Sequence, residues 1–307
     1  RGGGLEPGDV AVVVGTEHVD AQVEPALPFV EEVGEVTGDV GGGAVALDDD
    51  AVLVVTEVGG AQPGGAVLLV DRAVLPQPGD RLLDIGCGWG ALACFMARHY
   101  GVRVRAYNIS HQQIVYARER ARDQGLTASV EFIEDDYRNI AGRYDAFVSV
   151  GMLEHVGADQ YPALGRVINS CLKEDGRGLL HSIGRNRPEP LNAWIERRIF
   201  PGAYPPTLRE MMDIVEPAEF SVLDVENLRL HYAKTLEHWL WRYEKSADQV
   251  RAMFDEAFVR SWRLYLAGSL AAFNNGDLQL FQVNFVRRHN NAIPWTRAYL
   301  YAEEPWT

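Results

Sequence analysis

The sequence predicts an α/β protein built on a doubly wound parallel sheet, and three observations carry that prediction. From Arg81 to Ile183, strand-like apolar runs alternate with helix-like stretches of about 10–15 residues. The first of those runs enters a glycine loop, Gly86–Gly90, that opens a helix. The chain has 307 residues, 47% of them apolar and 23% charged, enough for a sizeable core in one large domain or two modest ones.

Each element has its own signal. Pro76–Gly79 reads as a turn, Arg81–Ile85 as a short buried strand and Ala91–Tyr100 as a helix. Val102–Tyr107 is the second strand, and Ser110 is placed to cap a helix running to Gln124. Ser129–Ile133, Tyr144–Val150 and Arg177–Ile183 are further strands, with a helix over Asp159–Leu172. After Gly184 the alternation stops, and residues from about 185 to 275 form a helical insertion. Its helices are expected over Leu191–Ile199, Thr207–Val215, Tyr232–Glu244 and Asp248–Phe273, interrupted by a strand over Phe220–Leu228. A last strand, Leu278–Arg287, alternates through Leu278, Leu280, Gln282 and Asn284.

The net charge of −14 is unevenly spread. Residues 1–80 hold 15 acidic and two basic residues, Arg1 and Arg72, and 81–307 hold 28 and 27. The first quarter also carries 15 of the 30 glycines and a single aromatic, Phe29. Residues 1–75 are therefore expected to stand apart from the domain at 76–307. Short strands over Ala11–Gly15, Ala51–Thr56 and Ala66–Val70 would suit this segment, but the aromatics that pack a core are missing. The acidic balance argues against nucleic acid as a partner. No run reaches the roughly 18–20 apolar residues that cross a bilayer. Cys87, Cys94 and Cys171 form no CxxC pair and read as buried or loop thiols rather than metal ligands.

The sharpest chemical signal is Leu82-Leu83-Asp84-Ile85-Gly86-Cys87-Gly88-Trp89-Gly90. Glycines at 86, 88 and 90 let the backbone turn sharply after a strand and bring its N–H groups close to a ligand. The spacing is neither the GxGxxG dinucleotide fingerprint nor a P-loop. In a doubly wound sheet the ligand lies beyond the carboxyl ends of the strands. That places Asn108, Ile109, Ser110 and Gln113 after the second strand, and Asp135 and Asp136 after the third, beside Asp84, Gly86, Cys87, Gly88 and Gly90.

The glycine loop resembles the first motif of class I S-adenosylmethionine methyltransferases, and further motifs narrow the resemblance. They are Ser149–Gly157, Leu179–Gly184, Trp194-Ile195 with Ile199–Gly202, Glu226–Tyr232, Trp262–Leu266 and Leu278–Gln282. Together, from about Pro76 onward, they are similar to the cyclopropane-fatty-acyl-phospholipid synthase family, which includes the mycolic acid cyclopropane synthases. The resemblance implies a Rossmann-like, mostly parallel seven-stranded sheet whose helical insertion covers a lipid site. It implies methyl transfer from S-adenosylmethionine to the cis double bond of an unsaturated phospholipid acyl chain, giving a cyclopropane. The family's base, a bound bicarbonate, maps onto Glu154, His181, the backbone at Ile183, and Tyr232. The aromatics Trp194, Phe200, Trp239 and Phe273 suit either an acyl tunnel or ordinary core packing. Arg185, Arg187, Arg197 and Arg198 suit transient contact with an anionic membrane surface, or a solvated face. The implied location is cytoplasmic, peripheral at the inner face of the membrane, with a homodimer left open.

The sequence departs from the family in one respect. Members carry a Tyr-Ser-Cys-type motif in a helical region before the glycine loop, and residues 1–75 contain no Tyr, Ser or Cys. The segment is either a divergent replacement or the product of a wrong frame or misplaced start, and the absence of an initial Met also suits a fragment. Two other readings stay open: a related enzyme that makes a methyl-branched lipid or methylates a small molecule, and an inactive cofactor-binding protein that lacks the lid.

Overall fold

In the computed structural model, which describes residues 74 and 76–301, a seven-stranded sheet runs in the order β3-β2-β1-β4-β5-β7-β6. Its strands are β1 (Arg81–Ile85), β2 (Arg103–Asn108), β3 (Val130–Glu134), β4 (Tyr144–Val150), β5 (Leu172–Gly184), β6 (Phe220–Asn227) and β7 (Gln279–Arg287). The pairs among β1 to β5 are parallel, and β7 lies antiparallel between β5 and β6. The expected strand carrying Leu278, Leu280, Gln282 and Asn284 is β7, and it is buried along nearly its whole length. The expected strands of the first 70 residues lie outside the described residues.

The helices are α1 (Ala91–Tyr100), α2 (His111–Asp123), α3 (Leu153–Val156), α4 (Tyr161–Cys171), α5 (Ala193–Arg198), α6 (Leu208–Val215), α7 (Arg229–Met253), α8 (Glu256–Asn275) and α9 (Ala298–Tyr301). One face of the sheet, through Leu82, Val104, Val148 and Leu179, packs with Met96 of α1 and Ile114 of α2. The opposite face, through Leu83, Phe147, Leu180 and Val283, packs with Leu164 of α4 and Ile214 of α6. A third cluster joins Leu236 and Val250 of α7 to Val259 and Phe273 of α8, with Leu280 and Ile183 packed against it. Ile183 lies one residue before the end of β5, so this helical pair sits over the carboxyl end of the parallel strands.

Several boundaries differ from expectation, each for a local reason. Ser110 occupies the cap position of α2, yet its side chain makes no capping bond; Asn108 Oδ1 accepts from the Ser110 N–H instead. Strand β5 begins at Leu172 rather than Arg177, because Leu172 pairs with Tyr144 across an irregular register before the regular ladder resumes at Arg177. The two long insertion helices divide at Phe254, not between Glu244 and Asp248. Nothing in Lys245–Ala247 breaks a helix, so α7 runs on for 25 residues, and Asp255 caps α8 by accepting from the Phe258 N–H. Helix α5 is shorter than expected because Asn192 caps it, accepting from the Trp194 N–H. Helix α3, which carries Glu154, was not anticipated.

Candidate active site

The sheet turns back on itself between β1 and β4, and the crevice lies where their carboxyl ends part. On the β1 side the glycine loop is set by backbone bonds. The Gly86 and Cys87 N–H groups both donate to Tyr107 O, at 2.8 and 3.1 Å, which lashes the loop to β2. Gly90 has φ +80°, and a Cβ there would stand 2.5 Å from Phe132 Cζ. Gly86 is as tightly placed, with Met152 Cβ 2.9 Å from where its own Cβ would be. Glycine is therefore required at both ends of the loop by conformation and by space. Between them, a Cβ on Gly88 would meet nothing within 4 Å, which leaves the middle of the loop open for a ligand to approach.

Asp84, one residue before the end of β1, is buried, and its Oδ2 has no partner. Burial pushes its carboxyl up to about 7. An acid kept dry, with an unmet oxygen beside an open loop, suits a ligand bearing an amine or ammonium group. Asn108 Nδ2 donates to Gln113 Oε1 at 2.5 Å and to Gly88 O at 3.5 Å, so these two amides form one unit at the loop's edge. Ser110 joins that unit only through its backbone, and Ile109 is exposed.

The two acids after β3 separate in role. Asp136 is consumed by Arg138, whose N–H, Nε and Nη2 all reach its carboxylate at 2.6–2.8 Å, and those bonds hold it below the usual carboxylate range. Asp135 accepts from the Asp136 N–H and from Asn139 Nδ2, both on Oδ1. Of the pair, Asp135 retains a carboxylate oxygen to offer a ligand.

A second group of side chains gathers at the carboxyl end of β5. Glu154 extends from α3 and its Oε1 accepts from the Ile183 N–H at 2.6 Å, while its Oε2 is buried without a partner. The loop after α5 clamps α3 from outside, because the Tyr204 N–H donates to Glu154 O at 2.7 Å. Tyr204 is held in turn by Glu210, which also closes a capping box with Thr207 at the start of α6. Burial raises the Glu154 carboxyl to about 7 against its backbone hydrogen bonds. His181 is buried two residues before Ile183, and neither ring nitrogen has a partner. Burial lowers its imidazolium to about 4, so the ring is neutral near pH 7.

Tyr232 enters from the first turn of α7. Burial raises its phenol far above the ordinary value, and the nearby Tyr265 and Glu154 push in the same direction. Its ring packs edge-on against Phe273 at 4.7 Å and Trp239 at 6.0 Å. Phe200 packs edge-on against Tyr265 at 5.8 Å, and Tyr265 lies 5.1 Å from Trp262. Three of the four expected aromatics therefore form a wall around Tyr232 and Tyr265; Trp194 makes no ring contact with it. Tyr265 and Gln282 entered the sequence reading only within family motifs and, for Gln282, the alternation of the last strand, without a site role. For Gln282 the available signal was an amide at an inward position of a buried strand.

The cysteines are free and buried, as expected, and no metal-ligating cluster occurs among the described residues. Of the basic quartet, Arg185 and Arg187 share Glu189 as an ion-pair partner, so part of their charge is neutralised locally.

Comparison with known proteins fits this arrangement. The sequence profile of the mycolic acid cyclopropane synthetase family matches residues 56–283. The chain belongs to that family. The match begins ahead of the boundary expected at Pro76. Among curated relatives, cyclopropane-fatty-acyl-phospholipid synthase of Escherichia coli (strain K12) is 37% identical over 218 residues, 71% of this chain and 56% of the relative. A probable fatty acid methyltransferase of Pseudomonas putida is 38% identical over 234 residues, 73% of this chain and 59% of the relative. This family member thus spans a little over half the length of those relatives. The solved structure of mycolic acid cyclopropane synthase CmaA1 complexed with SAH and CTAB superposes with a TM-score of 0.67. It is 27% identical and covers 72% of this chain and 82% of its own.

Proposed function

We propose that this chain carries the catalytic body of an S-adenosylmethionine-dependent methyltransferase that converts the cis double bond of an unsaturated phospholipid acyl chain to a cyclopropane. One observation carries the reading. Glu154 and His181, buried with unmet polar atoms, lie at the sheet end that carries the glycine loop, and Glu154 is near enough to the Tyr232 phenol, under its aromatic wall, to act on it electrostatically. The names of the relatives support it.

S-adenosylmethionine, when bound, supplies an electrophilic methyl group. The loop at Gly86–Gly90 and the Asp84 carboxylate suit its amino-acid end, the Asn108–Gln113 unit its ribose, and Asp135 its adenine amine. An alkene is a weak nucleophile, so it must be held close to the methyl in a dry site, which the wall of Phe200, Trp239, Phe273 and Tyr265 provides. As the new carbon–carbon bond forms, the other alkene carbon becomes electron-deficient. Ring closure then requires the transferred methyl to lose one proton.

A bicarbonate held by Glu154, His181 and Tyr232 would supply the base for that proton. The residues fit such an anion under one condition. The Ile183 N–H already serves Glu154, so Glu154 must carry a proton to face an anion without repulsion, and a carboxyl raised to about 7 can do so. The neutral His181 ring offers one N–H and the phenol one O–H. The related outcome, a methyl-branched chain, differs in where the proton leaves and in the fate of the double bond.

Part of this proposal is a peripheral location at the cytoplasmic face of the membrane. The exposed Arg197 and Arg198 of α5 would meet anionic headgroups. No helix among the described residues is long and apolar enough to cross a membrane.

The test is incubation with methyl-labelled S-adenosylmethionine and vesicles of cis-unsaturated phospholipid. Labelled acyl chains with cyclopropane ring protons are expected, at a rate that rises with added bicarbonate. Labelled chains that are branched rather than cyclised would move the reading to the fatty acid methyltransferase type. Cofactor binding with no labelled lipid would overturn it.

A further inference from the structure

We propose that Arg242 anchors the phosphate of the lipid substrate, at a set distance along α7 from Tyr232. Held there, the headgroup leaves a mid-chain double bond within reach of the acid–base site. The inference rests on the reading of Glu154, His181 and Tyr232 as that site, and it names the class of lipid the site takes.

Charge accounting singles out Arg242. Helices α7 and α8, with the residue that caps α8, carry five carboxylates: Glu237, Glu244, Asp248, Asp255 and Glu256. Glu237 pairs with Lys234, Glu244 with Arg263, Asp248 with Arg251, and Glu256 with Arg251 and Arg260. Asp255 accepts from the Phe258 N–H. Arg242 is half-buried, yet among the described residues it forms no hydrogen bond or ion pair. Burial lowers its guanidinium below the ordinary value, with no carboxylate beside it to offset that cost. A planar cation left unpaired in this way suits a ligand oxyanion, and its fork of donors matches a phosphate.

Helix geometry turns Arg242 toward the substrate side. Tyr232 packs on Phe273 and the Tyr243 hydroxyl donates to Val259 O, so α7 and α8 run antiparallel. The Glu244–Arg263 bridge closes one edge of their seam. Arg242 and Tyr265 each stand two residues, about 200° of helix, from a member of that bridge, and so follow the other edge. On that edge Tyr265 meets Phe200 of the aromatic wall. Ten residues separate Arg242 from Tyr232, a rise of about 15 Å, with Trp239 between them. An extended chain covers that span in about a dozen bonds, which from phosphorus through glycerol and the ester end near the middle of a common acyl chain. Beside Arg242, the exposed Lys245 sets its Nζ 3.5 Å from the centroid of the exposed Trp241 ring. An outward tryptophan with a lysine over it suits the polar border of a lipid surface.

The experiment uses the full chain without cofactor and follows binding of single-chain lipids by tryptophan fluorescence. The probes are lauroyl lysophosphatidylglycerol, which bears a phosphate, monolaurin, which is uncharged, and laurate, which bears only a carboxylate. Each is kept below its micelle-forming concentration, so no lipid surface contributes. The parent chain should bind the lysophospholipid about tenfold more tightly than monolaurin, the worth of one charge-assisted hydrogen-bonded pair. Arg242→Gln should bring those two affinities within about twofold, by weakening the lysophospholipid and leaving monolaurin unchanged. Arg242→Lys keeps the charge without the fork and should fall between; it decides if Arg242→Gln does not fold. Arg260→Gln, on the same helical pair, should change none of the affinities. A parent chain with no preference for the lysophospholipid overturns the proposal, as does a preference undiminished in Arg242→Gln. An equal loss for all the lipids also overturns it, since Arg242 would then support packing alone. A loss confined to laurate overturns it too, by assigning the arginine to a free acid. Binding needs no turnover, so failure of the labelled-lipid assay leaves this result standing.

Discussion

The two halves of the crevice are built on different principles. On the β1 side, shape comes from backbone: Gly86 and Cys87 are tied to Tyr107 O, Ser149 Oγ donates to Ile85 O, and Asp136 is locked to Arg138. Most polar groups there are spent on the protein itself, and the unmet Oδ2 of Asp84 is the exception. On the β5–β7 side the unmet atoms belong to side chains, those of Glu154, His181 and Gln282, brought from α3, β5 and β7 beneath helices of the insertion. The contrast teaches that the first half is a cradle, whose function depends on what it leaves room for. The second half is a chemical site, whose function depends on unfilled hydrogen-bonding capacity.

The largest effect should fall on the chemical half. Glu154→Gln removes a proton-bearing group while keeping size, and is expected to lower the rate of methyl transfer by about 100-fold or more, in the range of general acid–base groups. Cofactor affinity, measured by calorimetry, should stay within about threefold, because the cradle is untouched. Equal losses of turnover and cofactor affinity would erase the distinction between the halves.

The cradle breaks differently. Gly90→Ala combines a φ of +80° with a Cβ 2.5 Å from Phe132, and should cost about 3 kcal/mol in urea denaturation. A loss below about 1 kcal/mol would mean the loop yields more easily than its backbone bonds suggest.

Stability against pH sharpens the comparison on both sides. Burial raises Asp84 and Glu154 from ordinary values of 3.8 and 4.5 to about 7. Each raised acid contributes stability that is full below its ordinary value and is lost as pH rises toward 7. His181 runs the other way: lowered from 6.5 to about 4, it contributes stability that is full above 6.5 and is lost as pH falls. Glu154→Gln should therefore match the parent chain near pH 4.5 and exceed it at pH 8 by up to about 3 kcal/mol. Thermal midpoints across that range check this, and parallel curves would show that Glu154 is not kept protonated by burial.

Much of this was legible in the chain, for identifiable reasons. The strand–loop–helix at Asp84–Gly90 is local: alternate glycines after an apolar run need nothing distant to declare themselves. The order of strands and helices through Gly184 followed from periodicity in the same way. The caps were harder to read: Ser110 holds the cap position of α2 without a side-chain capping bond, and the Asn108 side chain accepts from the Ser110 N–H just ahead of the helix. The length of α7 was missed although no breaker separates Glu244 from Asp248; the division falls at Phe254, where Asp255 caps the next helix.

The sequence by itself determined the doubly wound plan, the glycine cradle and the candidate carriers of chemistry, because each is written in residues close together along the chain. Only the tertiary structure decided which carriers share a site and in what state. Glu154 and Ile183 are 29 residues apart and joined by one hydrogen bond, and Gln282 stands opposite His181 in the ladder only through the antiparallel insertion of β7. Protonation is also a tertiary property: the same carboxyl that is ionised in water is held near half-protonation once the sheet and its helical cover remove the solvent around it.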